Sequence, residues 1–105
     1  MNKNRSLAEI SVEYFEQHPE EVEDFTNEIF AEYTLDGDSA ALLSALRVVA
    51  RVKGLSTIAE EVSMTRQGLQ KALSVKGNPR LDNITAIMRA LGYQLVPHPL
   101  DPSAG

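Results

Sequence analysis

The chain has 105 residues, of which 43% are hydrophobic and 24% charged, as expected for one small globular domain with a modest core. It has no cysteine, which excludes disulfides and thiolate metal sites, and no apolar run approaches the roughly 18 residues of a membrane helix. The net charge of −5 divides into −9 over residues 1–38 and +4 over residues 39–105. This asymmetry indicates two faces with different partners, or an acidic face that is merely solvated. The first residues lack the apolar core of a signal peptide, so we expect a cytoplasmic location.

The first predicted helix begins after a capping-box pattern at Ser6 and Glu9, in which each side chain satisfies the backbone N–H of the other residue. It should run from Leu7 to about Gln17 and end at His18, because the residue before a proline is pushed out of helical geometry. Its apolar residues recur at helical spacing, which predicts burial against the core. The residues expected to be buried are Leu7, Ile10, Tyr14 and Phe15.

The second predicted helix begins at Pro19, which suits a first helical turn, and acids follow near the positive end of the helix dipole. Apolar residues then recur at helical spacing over about four turns, and we interpret this stripe as core. Its members are Val22, Phe25, Ile29, Phe30 and Tyr33. The acids form a negative face that would suit a basic protein partner. The candidate partner-binding residues are Glu20, Glu21, Glu23, Asp24 and Glu28.

A third predicted helix starts after residues 36–39, where Gly37 suits the end of one helix and Asp38 or Ser39 the start of the next. It carries a broad apolar stripe and ends at Gly54, so we expect it to lie at the centre of the fold.

The last predicted helix covers residues 82–91 and ends at Gly92. Residues 93–96 alternate weakly between polar and apolar and could form a short strand. Residues 97–105 contain three prolines and are predicted to be a frayed tail. The apolar surface of the last helix and of residues 93–96 is the candidate dimer interface. The alternative is that these residues only close the monomer core.

Between the third and the last helix, residues 57–73 contain two short apolar-faced helices joined by a tight turn. Ala59 is small where two crossing helices approach each other, Ser63 is at the turn, Met64 fills it, and Leu69 holds the second helix. This order is the helix-turn-helix layout.

The outer face of the second short helix carries side chains that donate hydrogen bonds to base edges or phosphates. The candidate base-reading residues are Arg66, Gln67, Gln70 and Lys71. The candidate phosphate contacts are Thr57, Thr65, Ser74 and Lys76. Thr65 is also a natural N-cap for this helix. The alternative is that the four outer residues are simply solvated.

An enzyme or a metal protein is not indicated. The two histidines, His18 and His98, each precede a proline, and no nucleophile–base set can be proposed from their positions. The acids lie along helices without a histidine partner at a spacing useful for a metal. We therefore expect no catalysis, no cofactor and no metal.

Two stretches carry a resemblance to known families. The spacing of Ala59, Val62, Ser63, Met64 and Leu69 resembles the phage Cro and lambda-type repressor (XRE-like) motif, although its turn position is often glycine and is serine here. Residues 45–96 are similar to the addiction-module antidote proteins, the HigA-like antitoxins of toxin–antitoxin pairs. The motifs that carry this similarity are Lys71-Ala72-Leu73, Gly77-Asn78-Pro79 and Arg89-Ala90-Leu91-Gly92.

The resemblance implies an all-α, lambda-repressor-like helix-turn-helix domain over residues 1–96, with acidic N-terminal helices in 1–38, the helix-turn-helix core in 39–96 and a flexible tail in 97–105. It further implies a homodimer that binds operator DNA, represses its own operon and neutralises a RelE/HigB-like toxin, for which the acidic residues above would form the binding surface. Two alternatives remain: a stand-alone helix-turn-helix regulator without a toxin, and a protein-interaction module.

Overall fold

The computed structural model of the chain describes residues 6–74 and 79–100, and every regular element in them is helical. The six α-helices are α1 Leu7–Gln17, α2 Val22–Asp36, α3 Ser39–Lys53, α4 Leu55–Glu61, α5 Arg66–Ala72 and α6 Leu81–Ala90. A 3-10 turn, Pro19–Glu21, connects α1 to α2. The all-α prediction is thus confirmed for these ranges. None of the helices described there has the length and hydropathy that a bilayer crossing requires.

The third helix, α3, forms the centre of the fold, as its broad apolar stripe predicts. Leu46 and Val49 are each 1% exposed, and Ala50 is fully buried. Helices α1, α2 and α4 all pack against α3, and the core extends through α5 to α6 with Leu69, Leu73 and other fully buried side chains. Each such leucine contributes about 1.5–3 kcal/mol relative to an exposed one.

Local capping chemistry sets the helix ends. The Ser6 hydroxyl accepts from the backbone N–H of Glu9 at 3.1 Å, and the Asp38 carboxylate accepts from that of Ala41 at 3.1 Å. Gly37 ends α2 in the left-handed conformation, with φ of 66°. The predictions for Asp38 and Gly37 are confirmed, as is the Ser6 half of the predicted capping box.

The prediction of which α1 residues are buried is wrong for three of its four residues. Leu7 is 79% exposed, Ile10 48% and Tyr14 45%, whereas Val12 is buried. Phe15 packs against the core, and its ring centroid lies 4.7 Å from that of Phe25 on α2. The helix therefore turns its Val12 and Phe15 side inward and leaves the other apolar strip exposed.

The predicted strand at 93–96 is also wrong. Gly92, with φ of 97°, ends α6, and the backbone N–H of Tyr93 donates to the carbonyl of Met88 at 2.8 Å. Tyr93 then packs against the core, while Leu95 and Val96 are 41% and 56% exposed. Residues 93–100 have no regular secondary structure, because the surrounding described elements are helices with no strand to pair with.

Candidate nucleic-acid interface

Helices α4 and α5 are seven residues each and are joined by residues 62–65, in the order expected from the sequence. Ile58 and Ala59 on α4 and Leu69 on α5 are buried on the facing sides. The backbone N–H of Met64 donates to the carbonyl of Ala59 at 2.8 Å, which closes the turn. This packing fixes α5 against the core through its inner face and leaves its outer face in solvent.

Ser63 bears the strain of this turn. Its φ of 57° lies in the left-handed region, and it is the one non-glycine residue of the described chain with positive φ. A side chain in that conformation costs about 1–2 kcal/mol, because Cβ approaches the following carbonyl oxygen. Ser63 thus adopts, at an energetic cost, a backbone conformation that glycine would adopt without strain.

We expect Ser63→Gly to raise the free energy of unfolding by about 0.5–1 kcal/mol, since relief of the strain exceeds the added entropy of the unfolded chain. Ser56→Gly, the same change inside α4, should instead lower it by about 0.5 kcal/mol. Urea unfolding of both variants measures the difference. A destabilised Ser63→Gly protein would show that the turn has another conformation.

The predicted base-reading side chains share the outer face of α5. All four are exposed, whereas Leu69 on the same helix is fully buried. They are Arg66, Gln67, Gln70 and Lys71. Thr65 caps the helix, with its hydroxyl accepting from the N–H of Gly68 at 2.9 Å. A Cβ at Gly68 would lie 3.0 Å from that hydroxyl, so the missing side chain makes room for the cap.

The predicted phosphate contacts differ in whether their hydroxyl groups already form hydrogen bonds within the chain. Thr57 is exposed. The Thr65 hydroxyl accepts a hydrogen bond in its cap, which leaves its O–H available as a donor. Ser74 donates its hydroxyl to the carbonyl of Lys71 at 2.8 Å, so its donor is already used. Lys76 lies outside the described residues.

A groove of about 660 Å³ runs between α1 and α3 and reaches α5. Arg66 and Gln70 line it together with Arg47 and Arg51 of α3. Arg47 is partly buried and donates to the Ser44 hydroxyl at 3.0 Å. The sequence interpretation missed these two arginines. Their spacing of four residues places them on one side of α3, but only the tertiary packing brings that side beside α5.

A second cleft, of about 450 Å³, lies on the other side of α1. Three carboxylates of α1 line it with Arg51 and Arg66: Glu9, Glu13 and Glu16. Acidic groups thus stand close to the start of α5, where they attract the arginines and would repel a phosphate backbone. Acidic residues of the N-terminal half therefore lie close to α5, the candidate DNA-reading helix.

The junction of α1 and α2 brings a histidine to two carboxylates, contrary to the expectation from the sequence. His18 Nδ1 lies 3.6 Å from Glu20 Oε2 and 3.8 Å from Glu21 Oε2. The Tyr14 hydroxyl donates to Glu21 Oε2 at 2.7 Å, and this hydrogen bond raises the pKa of Tyr14 above its ordinary value. The Tyr14 ring also lies 4.4 Å from that of His18. These contacts tie the end of α1 to the start of α2.

The acids predicted to bind a partner lie on the outer side of the 3-10 turn and of the first half of α2. Glu20, Glu23, Asp24 and Glu28 are exposed, and Glu21 is half-exposed. The apolar stripe of α2 mostly turns inward: Phe25, Ile29 and Phe30 pack against the core, while Tyr33 is 38% exposed. Val22 is buried as well, so the interpretation of the stripe as core is confirmed for these four residues, and α2 presents mainly charge to solvent.

The comparisons with known proteins decide the family. Residues 7–99 match the family described as "Probable addiction module antidote protein". The chain belongs to this family. An uncharacterized protein of Haemophilus influenzae (strain ATCC 51907 / DSM 11121 / KW20 / Rd) is 39% identical over 75 residues, which cover 71% of this chain and 73% of the relative. No solved structure matches the chain.

Membership confirms the predicted resemblance to antidote proteins. An antidote of an addiction module is an antitoxin, so the family implies a cognate toxin as partner. The matched residues include α1 and its acidic cleft as well as α4 and α5, so the family extends beyond the two short helices. The HigA-like and XRE-type assignments and the individual site residues stay predictions.

Proposed function

We propose that this antidote protein is a sequence-specific DNA-binding antitoxin that acts in the cytoplasm, represses its own operon and neutralises a RelE/HigB-like toxin. The observation that carries the DNA part is the exposed outer face of α5, presented next to a four-residue turn by a buried inner face. In a helix-turn-helix, the N-terminal residues of the second helix contact base edges in the major groove. Arg66 and Gln67 are the first two residues of α5.

Electrostatics restrict how a duplex approaches α5. The carboxylates of α1 line a cleft with Arg66, so phosphates on that side meet like charge. Gln67 and Lys71 are one turn apart on an adjoining strip of the helix. The duplex therefore approaches from the side of these two residues, with Arg66 reaching into the groove. Arginine suits the O6/N7 edge of guanine, and glutamine the N6/N7 edge of adenine.

The toxin part rests on family membership and on charge. A toxin that cleaves RNA presents a basic surface, and the exposed acids at the start of α2 complement it. The face that would repel DNA phosphates thus gains a role in binding a cationic protein.

The proposal of a homodimer is based on the exposed apolar residues after α6. Leu95 and Val96 have no regular structure to bury them, and a single short reading helix covers only a few base pairs. We expect a chain lacking residues 94–105 to be a folded monomer with much weaker operator binding, because Tyr93, which closes the end of α6, is kept. Sedimentation of both forms measures this, and an unchanged dimer would place the interface elsewhere.

The test of DNA binding is anisotropy of the full chain on a fragment of its own promoter and on a scrambled fragment of equal length. We expect tight, salt-sensitive binding to the promoter. The affinity for the scrambled DNA should be lower by about 10³-fold or more. Equal binding to both fragments, or none to either, would contradict this function. Binding to neither fragment would favour a protein-interaction module, for which the acidic cleft beside Arg66 is the supporting observation.

A further inference from the structure

Three large apolar side chains stand on the outward side of α1. Leu7 is 79% exposed, Ile10 48% and Tyr14 45%. Their spacing of three and four residues places them on one side of the helix, and we name them the α1 ridge. Single exposed apolar residues are ordinary, but three adjoining ones on one helix are typical of an interaction surface.

The ridge is partly preorganised. The Tyr14 hydroxyl is held by Glu21 at 2.7 Å, and its ring lies against His18, with centroids 4.4 Å apart. A side chain that is already fixed loses little conformational entropy when a partner covers it. Tyrosine is also among the residues that contribute most to protein interfaces.

The ridge borders the groove between α1 and α3. Leu7 lines the groove, and the neighbouring lining residues Ala8, Ala41 and Ala45 are small. A groove of about 660 Å³ with such walls has room for apolar side chains inserted by a partner. The ridge and the groove together therefore offer both a protrusion and a recess.

Charge decides which partner fits. Residues 6–46 contain no lysine or arginine, and residues 1–38 carry a net −9, so the ridge lies in the acidic part of the chain. The arginines that line the groove, Arg47, Arg51 and Arg66, lie at its other end, towards α5. A second copy of this chain in a symmetric contact would bring the same negative surface against the ridge, and DNA would bring its phosphates, so both are disfavoured. A basic protein with exposed apolar side chains is complementary in both respects.

We propose that the α1 ridge and the alanine-lined end of the adjoining groove form the apolar part of the toxin-binding surface. This inference rests on the proposed function and adds an apolar contact on α1 to the charged contact proposed for α2. Phe25 and Ile29 of α2 pack against the core, so α2 supplies charge, whereas Leu7 and Ile10 supply the area that is buried on binding.

The test compares two double variants for binding to the purified product of the adjacent gene, measured by titration calorimetry. Leu7→Ala/Ile10→Ala should weaken binding by about 100-fold, the loss typical of truncated interface hot spots. Leu81→Ala/Leu100→Ala, the control, changes leucines that are 77% and 92% exposed outside α1 and α2 and should alter binding by less than about 3-fold. Alanine keeps helix propensity, and circular dichroism checks that both variants fold.

The outcomes separate this inference from the proposed function. A wild-type chain that fails to bind the adjacent gene product contradicts the proposed function itself. Wild-type binding with equal affinities for the ridge variant and the control contradicts only the assignment of the surface to α1. A loss confined to the ridge variant supports both.

Discussion

Arg66→Ala and Gln67→Ala should each weaken binding to the cognate operator by about 1–3 kcal/mol and relax the preference at one base-pair position. Both side chains are exposed at the start of α5, whose buried Leu69 fixes the helix axis. Each bidentate contact to a base edge discriminates against the wrong base, so the effect should depend on sequence. The measurement is anisotropy on the operator and on operators with single base-pair changes.

Arg89→Ala is the matched control for Arg66→Ala. Arg89 is an exposed arginine in the last turn of α6, so its removal changes the charge equally without touching α5. We expect a small loss that is uniform across sequences, because a distant charge contributes only to the general attraction for DNA. If Arg66→Ala kept the affinity and specificity of the wild type, the assignment of α5 to the major groove would be wrong.

Removing acids from the start of α2 should slow toxin capture. The variant changes Glu20, Glu23 and Glu28 to glutamine and Asp24 to asparagine, all of which are exposed. Glu21 is kept, because it accepts the Tyr14 hydroxyl and holds the junction of α1 and α2. We expect the association rate with the adjacent gene product to fall about 10-fold or more at low salt, with a smaller difference at moderate salt.

The control for this variant is Glu60→Gln/Glu61→Gln on α4. Both acids are exposed but belong to the basic half of the chain. We expect a smaller effect for each charge removed, since these acids are not on the proposed toxin-binding face. An association rate and a salt dependence unchanged in the α2 variant would mean that its acidic face is only solvated.

Elements governed by local chemistry were predicted well from the sequence. The caps at Ser6 and Thr65 and the left-handed Gly37 depend on neighbouring residues, and all three are as expected. The orientation of α1 was not predictable in this way. That helix carries two apolar strips, and its packing against α2 and α3 decides which one is buried.

The same distinction, between features set by local sequence and features set by tertiary packing, applies to the candidate site. The exposure of Arg66 and its neighbours follows from the burial of Leu69 on the opposite side of a seven-residue helix, which the sequence spacing predicts. The placing of Arg47, Arg51 and the α1 carboxylates around Arg66 depends on how distant segments pack. Spacing along one helix gives no information on such contacts.

Growth measurements test the central claim, that this chain is an antidote, most directly. The adjacent gene is expressed from an inducible promoter in a host that lacks both genes, with and without this chain supplied from a second promoter. We predict that the adjacent gene alone arrests growth and that co-expression of the full chain restores colony formation. Arrest that persists in the presence of the folded chain, or no arrest in either case, would contradict the account.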